Sequence, residues 1–414
     1  MAYRKRQRNT KKIWYLVLIV ALIICVPFIY KFLSNKNGDG NNFISSIINP
    51  GQPTVETLEV GFDDYLETPG VSYNLYSKAP IVKGLYVNAS AVSSKERFNT
   101  LIDIANTTEV NAFVIDVKND SGRITFDMDN PQSDEINAEV KYMRDINVVM
   151  DRLYENDIYP IARIVAFKDP WSSKKITDLA IKNKDGSLWM YDEVSWLNPY
   201  NKDTWDYVLN IAKKAAEVGF KEIQFDYIRF EATRSLNNAD FGEDAENKTR
   251  MEVISEFVAY AMKELEPYNV KVSADVFGTI ITSKVDAKAI GQDYLAMAEK
   301  LDVICPMVYP SHYGKGFFGI PRDKHSDLYP YETILGSMKA SNEKYKELNG
   351  KKGAIVRPWL QAFTASYLRK PNYKSYGPEE IRAQIQGAYD AGLEEWILWH
   401  AGSKYNKDGL LKEQ

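Results

Sequence analysis

The chain has 414 residues, 45% of them apolar and 26% charged, enough to build a sizeable core in one large domain or two average ones. Seven of the 52 basic residues precede Ser34, leaving 45 against 56 acidic ones, a net of −11. That balance excludes a general nucleic-acid binder, which needs a basic surface, and the two cysteines, Cys25 and Cys305, exclude a disulfide scaffold.

The N-terminus predicts a membrane anchor. Residues 1–12 hold Arg4, Lys5, Arg6, Arg8, Lys11 and Lys12 with no acidic residue. An uncharged apolar run then extends from Ile13 to Tyr30. As a helix it is about 27 Å long, close to a bilayer core. The basic tail stays cytoplasmic by the positive-inside rule, so the rest of the chain is exported. A cleaved signal peptide is the alternative, but its apolar region is usually shorter and ends in small residues. Here the run closes on Val26-Pro27-Phe28-Ile29-Tyr30, which is bulky. We therefore assign 13–33 to a transmembrane signal anchor. Residues 34–80, rich in Asn, Gly, Ser and Pro, read as a linker or stalk.

From 81 to 414 short apolar, β-rich runs alternate with helical stretches. The runs are Gly84–Asn88, Ala112–Lys118, Tyr159–Phe167, Glu222–Phe230, Val270–Gly278, Leu301–Tyr309, Ala354–Phe363 and Glu395–Ala401. Between them, Thr204 to Val218 carries apolar positions at helical spacing and stops at Gly219. Gly377-Pro378-Glu379-Glu380 is a helix start, with Pro in the first turn and acids at the positive dipole end. Eight strand–helix units predict a parallel (β/α)8 TIM barrel. An open doubly wound sheet would carry a Gly-rich phosphate turn after its first strand. Val87-Asn88-Ala89-Ser90 is not one. Two long segments, Lys168 to Asn201 and Pro310 to Tyr331, follow strand C-termini, the catalytic face of a barrel. Their aromatic load suggests a binding groove.

Charged residues inside barrel strands are the informative ones, because a buried carboxylate is costly unless paired. Asp116 falls in the second strand, Arg163 in the third, Asp226 in the fourth and Asp275 in the fifth. Two carboxyls on adjacent strands suit glycoside hydrolysis, in which one donates a proton and the other attacks or activates water. Asp226 and Asp275 are the candidate catalytic pair. Asp116 reads equally well as a structural partner of Lys118 or Arg163. Candidate substrate-binding residues are Asp116, Arg163, Tyr309, Trp359, Gln361, Trp399 and His400. No metal or organic cofactor is called for: His312, His325 and His400 make no HxH or HExxH pattern, and there is no P-loop and no GxSxG elbow. Lys118 is the weaker candidate for Schiff-base chemistry.

Taken in order, Gly84-Leu85-Tyr86-Val87, Val114-Ile115-Asp116-Val117-Lys118, Trp196-Leu197-Asn198-Pro199-Tyr200, Gln224-Phe225-Asp226-Tyr227-Ile228-Arg229-Phe230, Ser273-Ala274-Asp275-Val276-Phe277-Gly278, Pro306-Met307-Val308-Tyr309-Pro310-Ser311-His312-Tyr313 and Pro358-Trp359-Leu360-Gln361-Ala362-Phe363 resemble the glycosyl hydrolase domain of bacterial cell-envelope proteins. That family is similar in layout to α-amylase-like barrel glycosidases. The resemblance implies an exported bacterial protein acting on a polysaccharide or oligosaccharide. It also implies that Asp226 occupies the fourth-strand nucleophile position. The fifth-strand acid of such enzymes is typically Glu, where this chain has Asp275, and Glu231 is the reserve candidate. The expectation is a glycoside hydrolase at the outer face of the cell membrane. A non-catalytic carbohydrate-binding barrel is the alternative.

Overall fold

The structure, a computed structural model, describes residues 79–411. The predicted basic tail, the anchor and nearly all of the stalk lie outside these residues. Among the described residues no helix is long and apolar enough to cross a membrane.

Eight parallel strands close into a barrel: β1 Lys83–Val87, β2 Ala112–Lys118, β3 Tyr159–Val165, β4 Glu222–Asp226, β5 Lys271–Phe277, β6 Val303–Met307, β7 in two pieces (Ile355–Val356 and Trp359–Gln361) and β8 Trp396–Trp399. Neighbours pair in chain order, and β1 closes the ring by pairing with β8 through Gly84↔Ile397. The break in β7 falls at Arg357-Pro358, where proline has no N–H to give to the ladder.

Helices connect the strands: α1 Lys95–Thr107, α2 Ile146–Glu155, α3 Lys202–Glu217, α4 Arg250–Leu265, α5 Lys284–Ile290, α6 Tyr294–Ala298, α7 Pro330–Tyr345 and α8 Pro378–Asp390. Their ends are set by local chemistry. Ser94 and Asn201 cap α1 and α3, and Thr249 with Glu252 forms a capping box on α4. Pro378 opens α8, as its sequence predicts.

Strands of a parallel barrel are covered on both faces, which is why they read as continuous apolar runs. Their outward side chains pack with the helices in one large cluster containing Phe113, Ile115, Ile223 and Leu398. Their inward side chains form a second, smaller cluster that includes Tyr86, Val114, Ile161, Cys305 and Trp359. The interior is a packed core with polar residues threaded through it.

Two polar networks apart from the carboxylate cluster are structural. At the N-terminal end of β4, Glu222 Oε1 accepts from Arg357 Nη1 at 2.6 Å and from Ser273 Oγ at 2.5 Å, and Arg357 Nε reaches Glu395 at 2.6 Å. The second network ties two loops. Lys118 Nζ pairs with Asp169 at 2.9 Å, both fully buried, and also donates to the Val165 carbonyl. Lys118 therefore has no free amine for Schiff-base chemistry. Gly122 sits against Asp169 with φ +75, and a Cβ there would lie 1.9 Å from Asp169 Oδ1. Gly122→Ala should therefore combine left-handed strain with displacement of Asp169, costing at least ~1 kcal/mol. Thermal unfolding checks this: a melting temperature equal to wild type would show that the loop does not need this contact.

Candidate active site

The C-terminal mouth divides into an ionic half built by β2 to β5 and an aromatic half built by β6 to β8 and β1. Arg163 organises the first. Asp226 Oδ2 accepts from its Nε at 3.0 Å and its Nη2 at 2.6 Å. Asp116 Oδ1 accepts from Nη1 at 2.7 Å, and Asp120 Oδ2 accepts from both Nη atoms at 3.2 Å. Burial works against the Arg163 charge, but the three carboxylates Asp120, Asp226 and Asp116 outweigh it and hold the guanidinium firmly protonated. For Asp120 burial acts upward, yet Arg163 and Lys168 prevail and set its carboxyl at about 2. Asp116 moves the other way: burial raises it, despite Arg163 beside it and the Tyr86 hydroxyl that donates to it at 2.6 Å.

Asp275 sits in a different environment. It is 1% exposed and makes no salt bridge among the described residues. Its Oδ1 accepts from Trp359 Nε1 at 2.6 Å and from Gln224 Nε2 at 2.7 Å. Both donors are neutral, and both converge on one oxygen. Burial first, and then the Asp226 charge, push this carboxyl well above the usual carboxylate range. Two carboxyls on adjacent strands thus have opposed characters. Asp226 is clamped by a guanidinium, whereas Asp275 is buried without a counter-charge, which favours its protonated form.

Backbone strain marks the same place. Tyr227, directly after Asp226, has φ 52, which a bulky residue adopts only when its surroundings impose it. Its N–H donates to Asp226 Oδ1 at 2.6 Å, so the strained turn fixes the second carboxylate oxygen. Lys168 lies 4.6 Å from the centre of the Tyr227 ring on one side, and Arg229 lies 4.9 Å away. Arg229 is further enclosed by Trp196 and Phe277, and Glu231 lies 3.7 Å from its Nη1.

In the aromatic half Trp399 stacks on Tyr86 at 6.1 Å and 26°, and Tyr309 packs on Trp399 at 5.8 Å. Phe363 meets both edge-on. Burial, with the charges of Asp275 and Asp226, raises the Tyr309 hydroxyl well above its usual value.

The residues predicted from sequence do not all converge. Asp116, Arg163, Asp226, Asp275, Trp359, Tyr309 and Trp399 meet at or just below the mouth. Trp359, 1% exposed, offers no open face and spends its N–H on Asp275. Gln361 is fully buried: it accepts from the Ser311 N–H and donates to Asp327 and the Phe363 carbonyl. His400 accepts from the Gly402 N–H at 3.0 Å within the turn after β8. The predicted aromatic groove after β3 is also altered, since Trp189 and Trp196 are buried and Trp171 is covered by Arg123 at 3.8 Å. Sequence reading missed Asp120, Lys168 and Tyr227. The signal for all three was position, within a few residues beyond a strand's C-terminal end.

Residues 84–405 match the family described as "Putative glycosyl hydrolase domain". The chain belongs to this family. Among solved structures it is similar to the PgaB (BpsB) glycoside hydrolase domain from Bordetella bronchiseptica, with a TM-score of 0.56 at 12% identity over 78% of this chain and 95% of that one. At that identity the likeness shows the fold. A hypothetical protein from Ruminiclostridium thermocellum ATCC 27405 is 41% identical over 46% of this chain and 97% of its own, with a TM-score of 0.43. The spore cortex-lytic enzyme SleL of Bacillus megaterium QM B1551 is 14% identical over 79% of this chain and 72% of its own, with a TM-score of 0.46. No curated protein matches the chain. Membership of this glycosyl hydrolase family accords with the carboxylate pair and aromatic wall at the barrel mouth.

Proposed function

We propose that the chain cleaves glycosidic bonds in an extracellular or cell-envelope polysaccharide, with Asp226 as the nucleophile or stabilising carboxylate and Asp275 as the general acid/base. One observation carries this reading: Asp226 is held by Arg163, whereas the Asp275 carboxyl on the next strand is paired with neutral donors and has a raised pKa. Glycoside hydrolysis needs that asymmetry, since the leaving oxygen must be protonated while the sugar's positive charge is stabilised from another side. Asp275 suits the acid role better than Glu231, which lies past the strand and faces Arg229. Arg163 orients Asp226, Trp359 and Gln224 orient Asp275, and the half-buried Trp399 receives the sugar ring. An apolar ring face beside hydrogen-bonding groups is what a flat, amphipathic pyranose requires.

The full chain incubated with a polysaccharide panel, with mass-spectrometric product analysis, tests the reading. Shortened chains with new reducing ends are the expected result. Glycan binding without any cleavage would instead support a carbohydrate-binding barrel, a reading to which the 1% exposure of Asp275 lends some weight.

We also propose that the apolar run Ile13–Tyr30 holds the protein in the cell membrane with the barrel outside. Added protease should digest the barrel on intact cells and leave the N-terminal tail protected. A barrel that resists until the cells are lysed would overturn this placement.

A further inference from the structure

The loop after β6 starts with a short turn, Pro310–His312, that has a rigid support and an unused functional group. The support is Gln361. Its side-chain oxygen accepts from the Ser311 N–H at 3.0 Å, while its amide nitrogen is tied to Asp327 at 2.9 Å and to the Phe363 carbonyl at 3.0 Å. A fully buried glutamine in a barrel strand thus holds the turn in place. The turn closes through His312 N–H to the Tyr309 carbonyl at 2.9 Å. The imidazole then stands edge-on to the Tyr309 ring, with centroids 4.9 Å apart at 85°.

The His312 side chain is exposed, and its ring nitrogens make no hydrogen bond among the described residues. It is nonetheless surrounded closely enough that desolvation pushes its pKa down to about 4. The imidazole is neutral at neutral pH, so it presents one donor and one acceptor. The other two histidines differ: His325 and His400 each turn Nδ1 back onto a backbone N–H. His312 stands on the turn that follows β6, the strand paired with β5, which carries Asp275.

We infer that His312 is a substrate-contacting residue, its imidazole exchanging hydrogen bonds with a hydroxyl of a sugar unit bound at the barrel mouth, on a turn that Gln361 positions. This inference rests on the glycosidase reading above.

The test uses the full-length protein and soluble oligosaccharides of glucose, galactose, N-acetylglucosamine and N-acetylgalactosamine, with steady-state kinetics on each member that is cleaved. His312→Ala should raise KM by about 3- to 10-fold, the worth of one or two neutral hydrogen bonds. It should leave kcat within about twofold, because the chemistry belongs to other residues. His312→Gln, which keeps a donor and an acceptor, should recover part of the loss, and a purely structural role would not produce that rescue. Unchanged KM in His312→Ala on a substrate that wild type cleaves would overturn this inference alone. If wild type neither binds nor cleaves any member, the glycosidase reading falls and takes this one with it.

Discussion

Asp275→Asn should lower kcat by about 10²- to 10⁴-fold, the usual contribution of a general acid. Asp226→Asn should cost more, on the order of 10⁴-fold or greater, as loss of a nucleophilic or charge-stabilising group does. Both variants should fold. In Asp275→Asn the amide oxygen can still accept from Trp359 and Gln224, the role that Asp275 Oδ1 fills. In Asp226→Asn the amide oxygen can still accept from the Tyr227 N–H, but the amide nitrogen then faces Arg163, which keeps only Asp116 and Asp120, so some stability should be lost as well. A pH signature separates the two roles. The raised pKa of Asp275 keeps the acid form present above the usual carboxylate range, so kcat/KM should fall on the alkaline side as that proton is lost. Folding stability follows the same proton. A carboxyl whose folded pKa is raised contributes stability that is complete below its unfolded value and is lost as pH rises through the folded one. Asp275→Asn should remove this component of the pH dependence in chemical denaturation. If either variant retains wild-type turnover of a cleaved glycan, the carboxylate assignment is wrong.

Arg357→Met should destabilise the barrel strongly while sparing its chemistry. Arg357 is 1% exposed and neutralises Glu222 and Glu395, both also buried. Methionine fills much of the volume but leaves two carboxylates without a counter-charge. Breaking a buried ion pair from one side typically costs about 3–5 kcal/mol. For a domain of this size that lowers the melting temperature by on the order of 10 °C. The loss should shrink in mild acid. Burial already raises the Glu395 carboxyl even with Arg357 beside it, and without the arginine the carboxylates should take up protons more readily. Replacing Glu222 and Glu395 by Leu and Gln in the same chain should recover much of the stability, since an apolar replacement of a whole buried network is often neutral. Differential scanning calorimetry decides: a shift under about 2 °C would mean that the network adds little. Molecules that stay folded should keep their kcat, because this network lies at the N-terminal end of β4 and the proposed carboxylate pair at the mouth.

Much of the architecture was legible in the chain itself. Strands buried on both faces become continuous runs of Val, Ile and Phe, and helix starts carry caps and prolines. Both are consequences of local geometry, so the alternation of eight runs with helices was readable without coordinates. Asp226 and Asp275 stood out for the same reason, as ionisable residues in apolar strands, where burial without a partner is costly.

What the chain did not declare was which residue each polar group meets. Arg163 was a plausible orienter, but its grip on Asp116, Asp120 and Asp226 joins residues 47, 43 and 63 positions away. Trp359 resembled a stacking platform until the closed sheet brought its N–H to Asp275, 84 residues distant. Lys118 stands near enough in sequence to neutralise Asp116, yet the register irregularity between them in β2 accompanies its turn to Asp169. Gln361 read as a sugar ligand and instead braces the turn that carries His312. Periodicity determines which face of a strand a residue occupies, because that depends only on its immediate neighbours in the chain. Partner choice inside a barrel depends on the stagger of non-adjacent strands, a property of the closed sheet as a whole. The sequence therefore determined a parallel eight-stranded barrel with carboxyls on its fourth and fifth strands, while tertiary closure alone placed one of them against a guanidinium and the other against an indole.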